Sequence, residues 1–383
     1  MHGRGGGDEH VTKAESNDAD RGAVETRRRH LLKQLSTGLV VGSGLLSGCS
    51  ELFGTDEPAE PCTDAATATG CAGQRSQIPG VGVYLGDEAA LDPWEEWFGR
   101  PVDYYSLNVQ VDSWDAYLVE NLAFERPIEP IAADREIAVT AKLFPESMAT
   151  LEAVANGAHA RQHRQFGASL IDNGMADATL RLGHEFNGRW SRDTAVGRPE
   201  TFVRAWKQAV QAMNSAEGAE FRYMWAPHVG SVHMDPTTAY PGDDWVDIIG
   251  LTVYDKGDLY WPATCRETCV SERRTRNWNR LATQDFGLDY WASFASDRGK
   301  PLAIPEYGPV ARNWNDAGGG DNPLFVDRFA AWLAENSDVV EWHNVWSFVS
   351  GPHYVGPAAL HSSDRFAPHP DASKRFRALF GSR

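Results

Sequence analysis

From Gly80 onward short apolar runs that read as strands alternate with stretches of helical spacing. Strands are expected at Val81–Leu85, Val102–Leu107, Ile137–Leu143, Ala178–Glu185, Phe221–Trp225, Trp245–Tyr254, Leu302–Glu306 and Trp342–Phe348. Helices are expected at Leu91–Phe98, Trp114–Leu122, Met148–Ile171, Glu200–Met213, Leu288–Phe294, Leu324–Ala334 and Ala372–Phe380. In the helix from Glu200, the residues Phe202, Val203, Trp206 and Val210 make one apolar face. Eight strands alternating with helices over about 300 residues predict a (β/α)8 TIM barrel, an α/β fold. A doubly wound open sheet would carry a Gly-rich phosphate loop after its first strand, and Val81-Gly82-Val83-Tyr84-Leu85-Gly86 does not supply one. No internal repeat is present.

The first 79 residues have a different character. Residues 1–26 are Gly- and charge-rich without periodicity. Arg28-Arg29 then precedes an apolar stretch, Leu35 to Leu46, too short and too rich in Gly and Ser for a stable membrane span. Leu46-Ser47-Gly48-Cys49 closes it. This order resembles a twin-arginine export signal ending in a lipoprotein box, which implies that residues 1–48 are removed and that Cys49 carries lipid. Residues 49–79, acidic and rich in Ala, Thr, Pro and Gly, read as a flexible tether. The barrel domain is residues 80–383. An exported chain with four further cysteines predicts disulfides, with Cys62–Cys71 and Cys265–Cys269 the expected pairs among three connectivities. Their spacings do not make a zinc site.

The chain has 53 acidic and 36 basic residues, a net charge of −17, which argues against a nucleic-acid partner. Only 7 of the basic residues are Lys. An acidic, Lys-poor surface suits high salt, where screening removes carboxylate repulsion; an ordinary acidic secreted enzyme is the other reading. The 14 Trp serve mostly as core, with some free to stack on sugar rings.

Two carboxylates stand at strand ends, where barrel enzymes keep their chemistry. Glu185 ends the fourth strand in Arg181-Leu182-Gly183-His184-Glu185-Phe186-Asn187-Gly188-Arg189-Trp190. Glu306 ends the seventh in Pro301-Leu302-Ala303-Ile304-Pro305-Glu306-Tyr307-Gly308. Such a pair can protonate a leaving sugar oxygen on one side and attack the anomeric carbon, or activate water, on the other. A zinc-protease reading fails, because no second His follows His184-Glu185 at ligand spacing. The Lys256–Asn277 segment is expected to be a loop walling the cleft, and the Gly-rich Asn315–Asp321 a solvated turn rather than a calcium loop.

Arg181-Leu-Gly-His184-Glu185 with Trp190 five residues on resembles the fourth-strand signature of glycoside hydrolase family 26, the β-mannanase family. Tyr240-Pro-Gly-Asp243 through Val246-Asp-Ile-Ile-Gly-Leu251 to Tyr254-Asp255 is similar to its sixth strand, and Lys300-Pro301 to Glu306 to its nucleophile strand. The resemblance covers residues 80 to 380. It implies a retaining glycosidase without cofactor or metal, acting on a polysaccharide, with Glu185 as acid/base and Glu306 as nucleophile. The resemblance implies an endo-β-1,4-mannanase acting on β-mannan, or, as in other members, an enzyme acting on β-1,3-1,4-glucan or β-1,3-xylan. An inactive carbohydrate-binding surface lipoprotein is the non-enzymatic alternative. Arg181, His184 and Tyr254 are expected to support the nucleophile. Trp190, Asn187, Trp225, His228 and Trp346 are expected to contact sugar. A monomer, exported and anchored to the outer face of the cell membrane through lipid alone, completes the expectation.

Overall fold

Eight parallel strands close on themselves: β1 (Gly80–Tyr84), β2 (Tyr104–Val109), β3 (Glu136–Ala141), β4 (Thr179–Leu182), β5 (Arg222–Trp225), β6 (Ile248–Asp255), β7 (Leu302–Pro309) and β8 (Val340–Trp346). Each pairs with the next, and β8 returns to β1 in register from Gly80↔Trp342 to Tyr84↔Trp346. The expected (β/α)8 barrel is the fold. The structure, a computed structural model, describes residues 79–109, 112–117, 128–257, 267–314 and 317–381. The signal and nearly all of the tether lie outside these residues, as do Cys49, Cys62, Cys71 and Cys265.

The helices are α1 (Leu91–Phe98), α2 (Glu129–Asp134), α3 (Leu151–Ala155), α4 (Ala160–Asp172), α5 (Pro199–Met213), α6 (Glu267–Thr283), α7 (Leu288–Ser296), α8 (Pro323–Glu335) and α9 (Pro370–Phe380). α5 starts with Pro at a position that needs no backbone donor. It buries Phe202, Ala205, Trp206, Ala209, Val210 and Met213, the 3–4 spacing of one face. Each large side chain so covered is worth about 2–3 kcal/mol. Asn322 caps α8 by accepting from the Phe325 amide.

Three expectations change. The single helix expected over Met148–Ile171 is α3 and α4, parted at Gly157, whose φ of 78° no helix accommodates. The loop expected over Lys256–Asn277 gives way to α6 from Glu267 on; this helix is so polar that apolar spacing hides it, with Trp278, Leu281 and Ala282 buried only near its end. Within the expected helix Trp114–Leu122, Asp115–Tyr117 is a 3-10 turn and residues 118–122 lie outside the described ones.

Strand alternation sorts the core into two. In β6, Ile249, Leu251 and Val253 join the large cluster under the helices. Ile248 instead joins Ala138, Met224, Ala226, Ala303 and Trp342 inside the barrel, against Tyr104. Tyr104 and Trp342 stack there, 4.6 Å apart and 10° from parallel. Gly80 makes that possible: a Cβ on it would lie 2.8 Å from the Tyr104 ring. These side chains plug the barrel floor, so chemistry is confined to the opposite mouth.

Candidate active site

β4 ends three residues earlier than expected, because Gly183 and Glu185 both take φ of 55°. A left-handed Glu costs about 1 kcal/mol or more and is held by its surroundings. The Glu185 amide donates to Ala226 O (2.8 Å), and its carbonyl accepts from the Gly188 amide (2.9 Å). The chain turns back so that the Trp190 indole N–H donates to Glu185 Oε2 at 2.8 Å. Gly188 leaves room for this, since a Cβ there would sit 2.2–2.3 Å from three atoms of the indole. Trp190 remains 50% exposed, an open flat face beside the carboxyl.

Glu306 owes its direction to a β-bulge. Gly250↔Ala303 is followed by Thr252↔Glu306, so two residues of β6 face three of β7, and β8 shows the same slip between Ile304 and Tyr307. Pro305, which has no N–H to donate, sits in that extra position. Ile304 and Tyr307 therefore point to the outer core while Glu306 points in. There Arg181 Nη1 donates to its Oε2 (2.5 Å) and the Tyr254 hydroxyl to its Oε1 (2.7 Å). Arg181 is itself buried, and its Nη2 donates to Thr252 Oγ1. Burial first, then the Glu306 charge, pushes the Tyr254 hydroxyl well above its ordinary value, so it stays a donor. His353 stacks on the Tyr254 ring at 4.2 Å.

His184 and His228 flank the carboxylates as buried, neutral rings. Burial, with the Arg181 and Lys142 charges, holds His184 well below the usual imidazole range. Burial holds His228 at about 3. His228 Nδ1–H donates to Val229 O (2.8 Å), which leaves Nε2 as an acceptor. His184 Nδ1 and His228 Nε2 have no hydrogen-bond partner among the described residues. Trp346, half buried, stacks on Tyr84 at 3.9 Å. The Tyr84 hydroxyl is pushed up to about 12 by burial and by the charges of Glu88 and Glu306.

Two expected sugar contacts lie elsewhere. Trp225 is fully buried on the outer side of β5, with Met224 taking the inward position. It packs on Phe186, Trp291 and Phe294, and its Nε1 donates to Ala239 O. Asn187 is also fully buried; its amide donates to His228 O and Gly230 O and accepts from the His228 N–H, clamping the loop that carries His228. Thr252, Tyr84 and His353 escaped the sequence reading. Thr252 was accessible to it, two residues before Tyr254 on the same side of β6; His353 follows β8 with no periodic signal. Cys269 is disulfide-bonded. Asp321, in the expected turn, caps α9 by accepting from the Asp371 and Ala372 amides.

The buried histidines set an acid limit on the fold. His163 is held at about 4 and His228 and His343 at about 3, all by burial. In the unfolded chain they titrate near roughly 6.5. Below that pH the unfolded state binds protons that the folded state refuses, so stability is full above about 6.5 and falls toward 4. At pH 5 the loss reaches about 2 kcal/mol per histidine. Urea unfolding at pH 7, 6 and 5 checks this, and an unchanged midpoint would contradict it.

Fold and site together define a class: a (β/α)8 barrel whose mouth holds one carboxylate fixed by Arg and Tyr and a second on a strained turn beside an exposed indole. A sequence model described as Glycosyl hydrolase family 26 matches residues 148–273, a stretch that includes Glu185 and stops short of Glu306. The mannan endo-1,4-beta-mannosidase of Bifidobacterium adolescentis is 29% identical over 192 residues, which cover 48% of this chain. The chain spans only 18% of that protein's length. Among solved structures, a modular endo-beta-1,4-mannanase from Cellulomonas fimi aligns with a TM-score of 0.53 and 17% identity, over 81% of this chain and 72% of that one. Its double mutant aligns equally well, at 0.53. At such identity the structural likeness is one of fold.

Proposed function

We propose that this chain is a retaining glycoside hydrolase of β-mannan-type polysaccharide, with Glu306 as nucleophile and Glu185 as acid/base. The observation that carries the proposal is the asymmetry of the two carboxylates. Glu306 has both oxygens held by donors, Arg181 and Tyr254, and so is oriented to attack. Glu185 is partly open to the cleft and touched by one indole N–H, free to pass a proton to and from an oxygen in front of it. In the first step Glu306 attacks the anomeric carbon while Glu185 protonates the departing oxygen. In the second, Glu185 takes a proton from water, which displaces Glu306. The Trp190 face suits a pyranose, and the free acceptor on His228 suits a sugar hydroxyl. Mannan is favoured among β-glycans by the relatives, whose names specify mannan.

The test is hydrolysis of mannan, galactomannan, mixed-linkage glucan and β-1,3-xylan in dilute buffer and in molar salt. Manno-oligosaccharides as the main products support the proposal; cleavage of another glycan keeps the mechanism and replaces the substrate; sugar binding without cleavage sinks it in favour of a binding scaffold. Activity maintained in molar salt would support the saline reading of the acidic composition. The same proposal places the protein as an exported monomer, tethered by residues 49–79 to lipid on Cys49, with Cys62–Cys71 and Cys265–Cys269 bridged. Cys49→Ala should then move it from the membrane fraction to the medium.

A further inference from the structure

One cavity beside the mouth runs against the charge of the whole molecule. Its volume is about 360 Å³, and it is lined by Lys256, Gly257, Arg273, Arg276, Asn277, Arg280 and Ala317. Arg273, Arg276, Asn277 and Arg280 recur at the spacing of one α6 face. Lys256 and Gly257 follow β6 directly on the other wall, and the Gly257 amide is tied to Ala317 O. Four cations thus surround one space in a chain of net charge −17.

Three of those cations have no acidic partner among the described residues. Lys256, Arg276 and Arg280 form no ion pair with any described residue. Among the described residues Arg280 donates to neutral oxygens: Lys256 O, Asn277 Oδ1 and Gln284 Oε1. The nearby Asp255 carboxylate accepts from Asn277 Nδ2 (2.9 Å) and Asn322 Nδ2 (2.6 Å). Like charges facing one cavity repel, and an oxyanion between them reverses the sign of that interaction. Guanidinium groups match a carboxylate or sulfate with paired N–H donors.

The cavity also adjoins the candidate catalytic centre. The Lys256 ammonium lies 5.9 Å from the centroid of the Tyr254 ring, and Tyr254 holds Glu306. Its charge reaches His228 and His353, which border the same mouth.

We infer that this cavity is a subsite for an anionic group carried by the glycan, a uronic acid carboxylate or a sulfate ester, so that the substrate is an acidic polysaccharide. This rests on the glycosidase reading above and narrows its substrate. The test uses the full chain carrying Glu306→Gln, which blocks turnover. It is titrated calorimetrically with three β-glycan oligosaccharides of equal length (neutral, uronic acid-bearing and sulfated) and with sodium sulfate alone. One charge-assisted contact predicts about tenfold tighter binding of an acidic oligosaccharide than of the neutral one. Arg276→Glu, at an exposed position with no ion pair among the described residues, should erase that preference and leave neutral binding unchanged, and molar salt should shrink it. Which acidic sugar gains identifies the group. Equal affinity for all three, or a preference that survives Arg276→Glu, overturns the inference. So does sulfate bound alone, with Arg276 dependence but no preference between sugars. If the unmutated chain cleaves neutral glycan while acidic ones gain nothing, the hydrolase reading stands and only the subsite falls. If acidic oligosaccharide binds and nothing is cleaved, the reverse holds.

Discussion

Glu306→Ala should lower hydrolysis of the best glycan by at least about 10⁴-fold, the scale of losing a covalent nucleophile. Loss of a negative charge facing Arg181 would also strand a buried guanidinium, at about 3–5 kcal/mol. Glu306→Gln, which keeps the shape and a hydrogen-bond acceptor, therefore belongs beside it. Equal loss of activity in both, with the Gln variant still folded, separates chemistry from stability. Azide distinguishes the two carboxylates. In Glu306→Ala it can enter the space left by the carboxylate and attack the sugar directly, giving a glycosyl azide of inverted configuration. In Glu185→Ala the first step still forms the glycosyl-enzyme from an activated aryl glycoside. Azide then attacks that intermediate and gives the retained configuration. Glu185→Ala should cost less, about 10²–10⁴-fold. A Glu306→Ala variant that keeps wild-type activity, or azide products with the two configurations exchanged, would remove the assignment.

The eight strands were readable because each is a run of apolar residues set off by a polar or helical stretch. Positions at the mouth were less readable, for reasons that differ by residue. Strict alternation along Ile304-Pro305-Glu306 puts Ile304 and Glu306 on the same face, yet they point opposite ways. The bulge at Pro305 inserts one residue, and only the proline hints at it. At the fourth strand, alternation carries Arg181 inward, as expected, but Glu185 reaches the cleft through a left-handed turn rather than as a strand residue. Trp225 shows the complementary error. Lying at a strand end does not say which side of the strand a residue occupies, and Met224 already fills the inward side. Asn187 was misplaced because a sequence does not reveal that three backbone groups of a distant loop would consume its amide. α6 stayed hidden because its informative face is basic rather than apolar, the same face that lines the cavity beside the mouth.

Arg181→Met should destabilise the folded chain by about 3–5 kcal/mol and reduce turnover sharply, although Arg181 is placed to touch no substrate. Its side chain is 1% exposed, and it joins Glu306 on β7 to Thr252 on β6 from a position on β4. Methionine fills much of the volume but leaves a carboxylate, itself 11% exposed, without its cation. Two responses identify a positioning role rather than simple loss of packing. First, the stability deficit should shrink as pH falls, because a stranded carboxyl sheds its charge by taking up a proton. Second, Arg181→Met combined with Glu306→Leu should recover much of the lost stability while remaining inactive, since the buried pair as a whole is replaceable by apolar groups whereas half of it is not. Arg181→Lys should fall between: one ammonium supplies the charge but cannot reproduce the fork that reaches Glu306 and Thr252 together. Additive stability losses in the double variant would show that Arg181 and Glu306 are not energetically coupled, and the orientation of the nucleophile would then need another source.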